Sequence, residues 1–449
     1  MRGPAAATLT GVMRSPARCG LVVAAAALAA VTTSCSSGGD LAGRDVRVRP
    51  SHRPAIEAAF AAESYRAGAV AELRIWSRGD DVTLQVFRAA TEADEIVQRD
   101  VLEGTAMSEE WWIGNVRRGR VIRVAVGDWP GGLYYALLSG SGDRIGYAPF
   151  VLRPRRLGEH PVAVVLPTMT WQAYNFHDDN HDGVPDTWYY KRHAPTARLA
   201  RPFENRGVPP HYKFYDQPFL RWLIRNDREV DYLADADLAD SSTTGRKLAA
   251  AYELLVFPGH HEYVTTHEYD AVTGFRNLGG NLMFLSANNF FWRVIKRGNV
   301  MHRKGRWRDL GRPEAALIGV QYFGNDEGQH RGAWIVRANR VADWIFSGTT
   351  LDPGSRFGQG GIEADRTAPA SPRSTKVVAE IPNLFGTGKS AQMTYYETPA
   401  GAKVFAAGAF TLAGSVWWPD VRRVMTNLWT MMANDGNRKK FVPAPAPTR

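Results

Sequence analysis

Tyr174, His260, His261, Glu262 and Asn288 are the residues whose types and placing could do chemistry. Each follows an apolar run of strand character. Tyr174 lies in TMTWQAYNFHDD after PVAVVLP, residues 260–262 lie in PGHHEY after YELLVF, and Asn288 lies in SANN after NLMFL. In a parallel α/β sheet, ligands bind outside the carboxyl ends of the strands, so parallel pairing of these runs would bring the segments together. Phenol, imidazole, carboxylate and amide in one cleft would suit proton transfer or the holding of a hard cation. Taken singly, each is equally an ordinary loop residue with its hydrogen bonds satisfied.

A second pattern follows Tyr174. Asp178, Asn180, Asp182 and Asp186 are spaced as oxygen ligands of an EF-hand-type loop, with Gly183 at the sharp turn. The twelfth position is Tyr189 where such a loop has Glu, so the segment is either a structural Ca²⁺ site lacking its last carboxylate or an Asx-rich turn. Several enzyme classes are excluded. No Gly-x-Ser-x-Gly elbow follows a strand, and no Walker loop or Gly-x-Gly-x-x-Gly is present. His261 and His267 stand six apart, ~240° around a helix, so HHEYVTTH does not have the spacing of a zinc peptidase. Cys19 and Cys35 are the two cysteines of the chain, and both precede the folded region, which leaves it without a disulfide or a thiol nucleophile.

The elements that must position these residues are legible as periodicity. The runs at 162–166, 229–233, 252–257 and 281–285 are continuously apolar or nearly so, as in strands buried on both faces. Between them DQPFLRWLIRN predicts a helix capped by Asp216, and residues 263–278 another, closed by Gly279-Gly280. AQMTYYET and AKVFAAGAF flank Pro399-Ala400-Gly401 as a hairpin. A last helix starts near Pro419, with Val421, Val424, Met425, Leu428, Met431 and Met432 at core spacing. Residues 69–152 read differently. AELRIWSRG, DVTLQVFRA, GRVIRVAVGDW, LYYALLSG and IGYAPFVLRP alternate with period two, which predicts an immunoglobulin-like antiparallel sandwich. The expected fold is therefore α/β: a sandwich over 55–157, then a doubly wound, mainly parallel domain over 158–435 and a Pro-rich tail over 436–449.

The first 35 residues carry Arg14 and Arg18, an apolar run over 21–31 and Thr-Thr-Ser-Cys, which predict a signal peptide with a lipobox-like end at Cys35. A tether over 36–54 follows. The expected location is the outer face of a cell membrane through a lipid on Cys35, or else secretion. The net charge is +10, and +7 without the leader's Arg2, Arg14 and Arg18. That surplus is spread over the chain without an aromatic–basic stacking pattern, so no nucleic-acid partner is expected.

The segments LPTMTWQAYN, FYDQPFLRWL, DYLADADL, LLVFPGHHEY and GGNLMFLSANNFFWR resemble the C-terminal domain of the N,N-dimethylformamidase large (β) subunit family. MTYYETPAGAKVFAAGAF adds to the resemblance, which covers about residues 161–434. It implies a class I glutamine-amidotransferase-like α/β fold and a mononuclear iron held by two tyrosines and a glutamate. The matching positions are Tyr174, Tyr215 and Glu262, with His260, Asn288 and Glu397 as the neighbouring catalytic residues. It further implies hydrolysis of a C–N amide bond in a small-molecule substrate, and a homo-oligomer or a small partner subunit. Departures are His261 and Val264, where relatives carry an acid and a Trp, and the aspartate-rich insertion after Tyr174. The alternative class is a non-catalytic envelope protein that binds a glycan or small ligand in the same cleft.

Overall fold

The computed structural model describes residues 56–92, 100–179, 181–190, 196–338, 340–410 and 412–433. The expected signal peptide, Cys35, the tether, Asn180 and the Pro-rich tail lie outside the described residues.

Alternation makes the first unit. In Val70–Ile75 every second residue is buried, as a half-buried strand requires. This strand pairs with Ala58–Phe60 and Val121–Ala125 in a three-stranded sheet. A six-stranded sheet is built around the pairing of Gly79–Ala89, Gly132–Gly140 and Arg144–Arg153. The inner faces of the two sheets share one core, with Phe60, Leu73 and Val124 from one and Leu84, Tyr134 and Phe150 from the other. Tyr134 donates its hydroxyl to the Pro130 carbonyl at 2.6 Å and pins the turn into its own strand. The outer face of the larger sheet (Leu133, Tyr135, Tyr147, Val151) packs into the core of the following domain. Gly207 shows how close the two units come. Its φ is +97°, and a Cβ there would meet the Tyr147 carbonyl oxygen at 1.8 Å, so only glycine fits.

The second unit is organised by an eleven-stranded sheet. Val162–Leu166 is buried at every residue because both sheet faces are covered. Val162, Val164 and Leu166 face the helices Gln217–Arg225 and Pro419–Ala433 through Phe219, Leu220, Val424 and Leu428. Ala163 and Val165 face the helices Gly245–Ala251 and Thr266–Asn277 through Leu248, Val272 and Phe275. Parallel pairing runs Asp231–Ala234, Val162–Leu166, Leu254–Phe257, Asn281–Phe284, Lys403–Ala406.

Here the expectation of a mainly parallel sheet is corrected. Four pairings of this sheet are parallel and six antiparallel. A parallel return needs a crossover of a dozen or more residues. Ala391–Glu397 and Lys403–Ala406 are joined by five, so they return as a hairpin. The protein is mixed α/β, rich in sheet and poor in helix.

Three local expectations also change. Asp216 already has helical angles (φ −108°, ψ −50°) and makes no side-chain cap, because its carboxylate is turned inward to accept from Trp171 Nε1 at 3.2 Å. Tyr263–Thr265 is a short strand paired with Trp292–Arg297, and the helix begins at Thr266. There Thr265 accepts from the Glu268 N–H while the Glu268 carboxylate accepts from the Thr265 N–H, a reciprocal cap. Met431 is 40% exposed and is not part of the core.

Candidate active site

The carboxyl ends of three parallel strands meet at Glu262. After Val162–Leu166 the chain enters the helix Thr168–Ala173, and Tyr174 ends it. Tyr174 donates its hydroxyl to Glu262 Oε2 at 2.6 Å. From beyond Asn281–Phe284, Asn288 donates Nδ2 to Glu262 Oε1 at 3.3 Å. The Glu262 backbone is fixed on both sides. Its N–H reaches Thr170 Oγ1 at 3.1 Å, and its carbonyl accepts from the N–H groups of Phe291 and Trp292. Asn288 adopts φ +53°, a left-handed conformation that Asn tolerates better than most residues. Its N–H is held by Asp365 Oδ1 at 2.9 Å.

His260 lies between two acids. Its Nε2 is 3.7 Å from Glu262 Oε2 and 3.5 Å from Glu363 Oε2. Among the described residues neither of its ring nitrogens has a hydrogen-bond partner, and the same holds for Asn288 Oδ1. Tyr215 enters through aromatic contacts. It stacks on His211 (5.0 Å, 10°) and tilts against Phe410 (4.8 Å), while His211 meets Tyr174 (5.4 Å) and Phe410 meets His260 (4.9 Å). Tyr174 in turn faces His260 at 5.6 Å and closes the ring of contacts.

Burial sets the electrostatics. Desolvation pushes the Glu262 carboxyl up to about 7, against the pull of the bonds from Tyr174, Tyr189 and Asn288. Desolvation likewise holds His260 well below the usual histidine range, with the charges of His211 and His261 adding to it. Asp365 is raised to about 7 by burial. A water-poor centre with a carboxyl that exchanges its proton near neutrality, a neutral imidazole and a phenol can move protons and can receive a cation. Among the described residues no three His, Cys, Asp or Glu side chains are arranged to hold a metal. The expected iron set is of another kind, two phenols and one carboxylate.

The expected residues are therefore treated unequally by the fold. Tyr174, Glu262, His260 and Asn288 are brought together, and Tyr215 is in the same aromatic ring of contacts. Glu397 is not. It pairs with Lys403 at the start of its strand, and the Lys403 N–H binds Asn281 Oδ1 at the beginning of Asn281–Phe284. That is the opposite end of the sheet, where Glu397 is exposed and accepts from the Tyr395 hydroxyl at 2.5 Å. His261 is a core residue with Nε2 3.0 Å from the Val165 carbonyl.

In the aspartate-rich segment, Asp178, Asp182 and Asp186 each accept a backbone N–H of the turn, from Gly183, Val184 and Asp179 respectively. Sequence reasoning missed Glu363, Asp365 and Tyr189. The acids were signalled by their alternation in the small-residue strand GQGGIEADR, where both are buried. Tyr189 carried no local signal.

A β-sandwich joined to a mixed α/β sheet, with a buried phenol–carboxylate–imidazole centre at its parallel strand ends, is the class defined so far. The chain belongs to the N,N-dimethylformamidase beta subunit-like, C-terminal family, whose profile matches residues 120–420. It is 25% identical over 390 residues to the N,N-dimethylformamidase beta subunit of Alcaligenes sp, covering 64% of this chain and 50% of that one. It is 23% identical over 408 residues to that of Paracoccus aminophilus, covering 67% and 52%. The chain thus spans about half the length of these relatives. Among solved structures, superoxide reductase (neelaredoxin) from Ignicoccus hospitalis aligns at 9% identity over 22% of this chain and 83% of that chain. Its TM-score of 0.14 is too low to bear on the fold.

Proposed function

We propose that this chain is a metal-dependent hydrolase of amide-type C–N bonds in an extracytoplasmic small molecule. The observation that carries the reading is the convergence of Tyr174, Asn288 and His260 on the buried carboxyl of Glu262. The names of the relatives supply the reaction class. Iron is the metal proposed, with Tyr174, Tyr215 and Glu262 as the residues that would hold it. Hard anionic oxygen donors suit ferric iron, and the unpartnered nitrogens of His260 and oxygen of Asn288 leave polar atoms for substrate and water. When bound, such an ion polarises a carbonyl and acidifies water.

The chain's own residues do the rest. His260, neutral in its buried setting, accepts a proton at Nε2 and delivers it to the leaving amine. Glu363, 3.5 Å away, steadies the imidazolium that forms. In this reading Glu363 takes the role expected for Glu397. Asn288 orients the Glu262 carboxylate through Nδ2. Structural Ca²⁺ at Asp178, Asn180, Asp182 and Asp186, a lipid on Cys35 and a small partner subunit are part of the same proposal.

The test is the metal. Purified protein should carry close to one iron per chain and show a visible phenolate-to-ferric absorption, since free tyrosine titrates near ~10 and ionises at neutral pH only beside a cation. Tyr174→Phe should remove much of the absorption, and Glu262→Ala should empty the site while the fold persists. A colourless wild type that cannot be reconstituted with iron overturns the reading. Iron retained unchanged by both variants would refute the ligand assignment.

A further inference from the structure

The far end of the aspartate-rich loop reaches the centre. Tyr189 stacks its ring on Tyr174 at 4.6 Å with 22° between planes. Its hydroxyl is 3.2 Å from Glu262 Oε2 and also meets the Tyr263 hydroxyl. Trp188 beside it donates Nε1 to that same Tyr263 hydroxyl at 3.3 Å. The loop that carries Tyr189 is tied at both ends. Thr187 Oγ1 binds the Ala173 carbonyl at 2.6 Å, one residue before Tyr174. At the near end, buried Arg201 binds the carbonyls of Asn175 and His177, each at 2.8 Å. The sandwich adds Glu57 against His177 and Arg118 against the Asp179 carbonyl.

We propose that Tyr189 is a positioning residue of the Tyr174–Glu262 centre, a third phenol that the loop over residues 175–190 delivers to set the Glu262 carboxylate and the plane of the Tyr174 ring. A half-buried tyrosine can satisfy its hydroxyl with water. Tyr189 spends its hydroxyl on the acid that Tyr174 also binds, and its ring on Tyr174 itself. Donors behind a ligating carboxylate fix its orientation and basicity, and a stacked ring restricts rotation of its partner. The inference rests on the iron reading above for its functional consequence, while its geometric part stands on the metal-free protein.

The experiment compares wild type with Tyr189→Phe, Tyr189→Leu and the exposed neighbour Tyr190→Phe. Ferric iron affinity by chelator competition, the position of the visible band and thermal unfolding are read on each. Tyr189→Phe should weaken iron ~10–100-fold and shift the band with little change in unfolding temperature. Tyr190→Phe should match wild type, and Tyr189→Leu should lose both affinity and stability. Wild-type affinity and an unshifted band in Tyr189→Phe overturn the proposal, as does a variant that loses only thermal stability. If wild type binds no iron, the parent reading falls by itself, and crystal structures of the metal-free proteins decide this one. Glu262 and Tyr174 should adopt new rotamers in Tyr189→Phe, and unchanged rotamers refute the positioning role.

Discussion

His177→Gln isolates the cation that joins the sandwich to the site loop. His177 is 6% exposed, with Nδ1 2.9 Å from Asp179 Oδ1 and Nε2 3.2 Å from Glu57 Oε1. Burial alone would lower its pKa, but the hydrogen bonds and charges of Asp179 and Glu57 outweigh burial and raise it to about 9. A histidine held above its unfolded value of 6.5 stabilises fully below pH ~6.5, and that stabilisation is lost as pH rises through about 9. The gap between those values corresponds to at most about 3 kcal/mol.

Wild type should therefore lose unfolding temperature between pH 6.5 and 9.5 by several degrees more than His177→Gln, which has no proton to release there. The assay is thermal unfolding of both proteins across that range at constant ionic strength, and the quantity read is their difference, in which all other titrating groups cancel. Parallel profiles would refute the reasoning. They would mean that the imidazolium gains nothing from its two carboxylates.

The two glutamates separate the ends of the sheet. Assayed on a panel of small formamides and acetamides, Glu363→Gln should cut kcat ~100-fold with iron content unchanged. Glu397→Gln, at the far end, should leave kcat within about twofold, and the reverse outcome would return the role to Glu397. For the envelope expectation, globomycin should make a larger precursor accumulate and Cys35→Ala should release the protein from membranes. A precursor insensitive to the inhibitor would sink lipidation.

Apolar periodicity determined a good deal by itself. The uninterrupted burial of VAVVL and LLVF marks strands covered on both faces, and those runs pair in parallel. Period-two alternation over residues 70–152 marks half-buried strands, and these form the two-sheet sandwich. Because binding residues follow the carboxyl ends of parallel strands, Tyr174, His260, Glu262 and Asn288 were legible before any contact was known. Glu397 went wrong for a reason of direction. Alternation shows which face a residue takes, but whether the strand runs parallel or antiparallel decides which end of the sheet it reaches. That depends on pairing with distant partners, and the same pairing places Glu363 beside His260. Asp216 looked like a cap because local spacing cannot reveal that Trp171 turns its carboxylate inward. Tyr189 was invisible for the same cause. A loop residue has no periodicity, and only ties made by Arg201, Thr187 and the sandwich bring its phenol to Glu262.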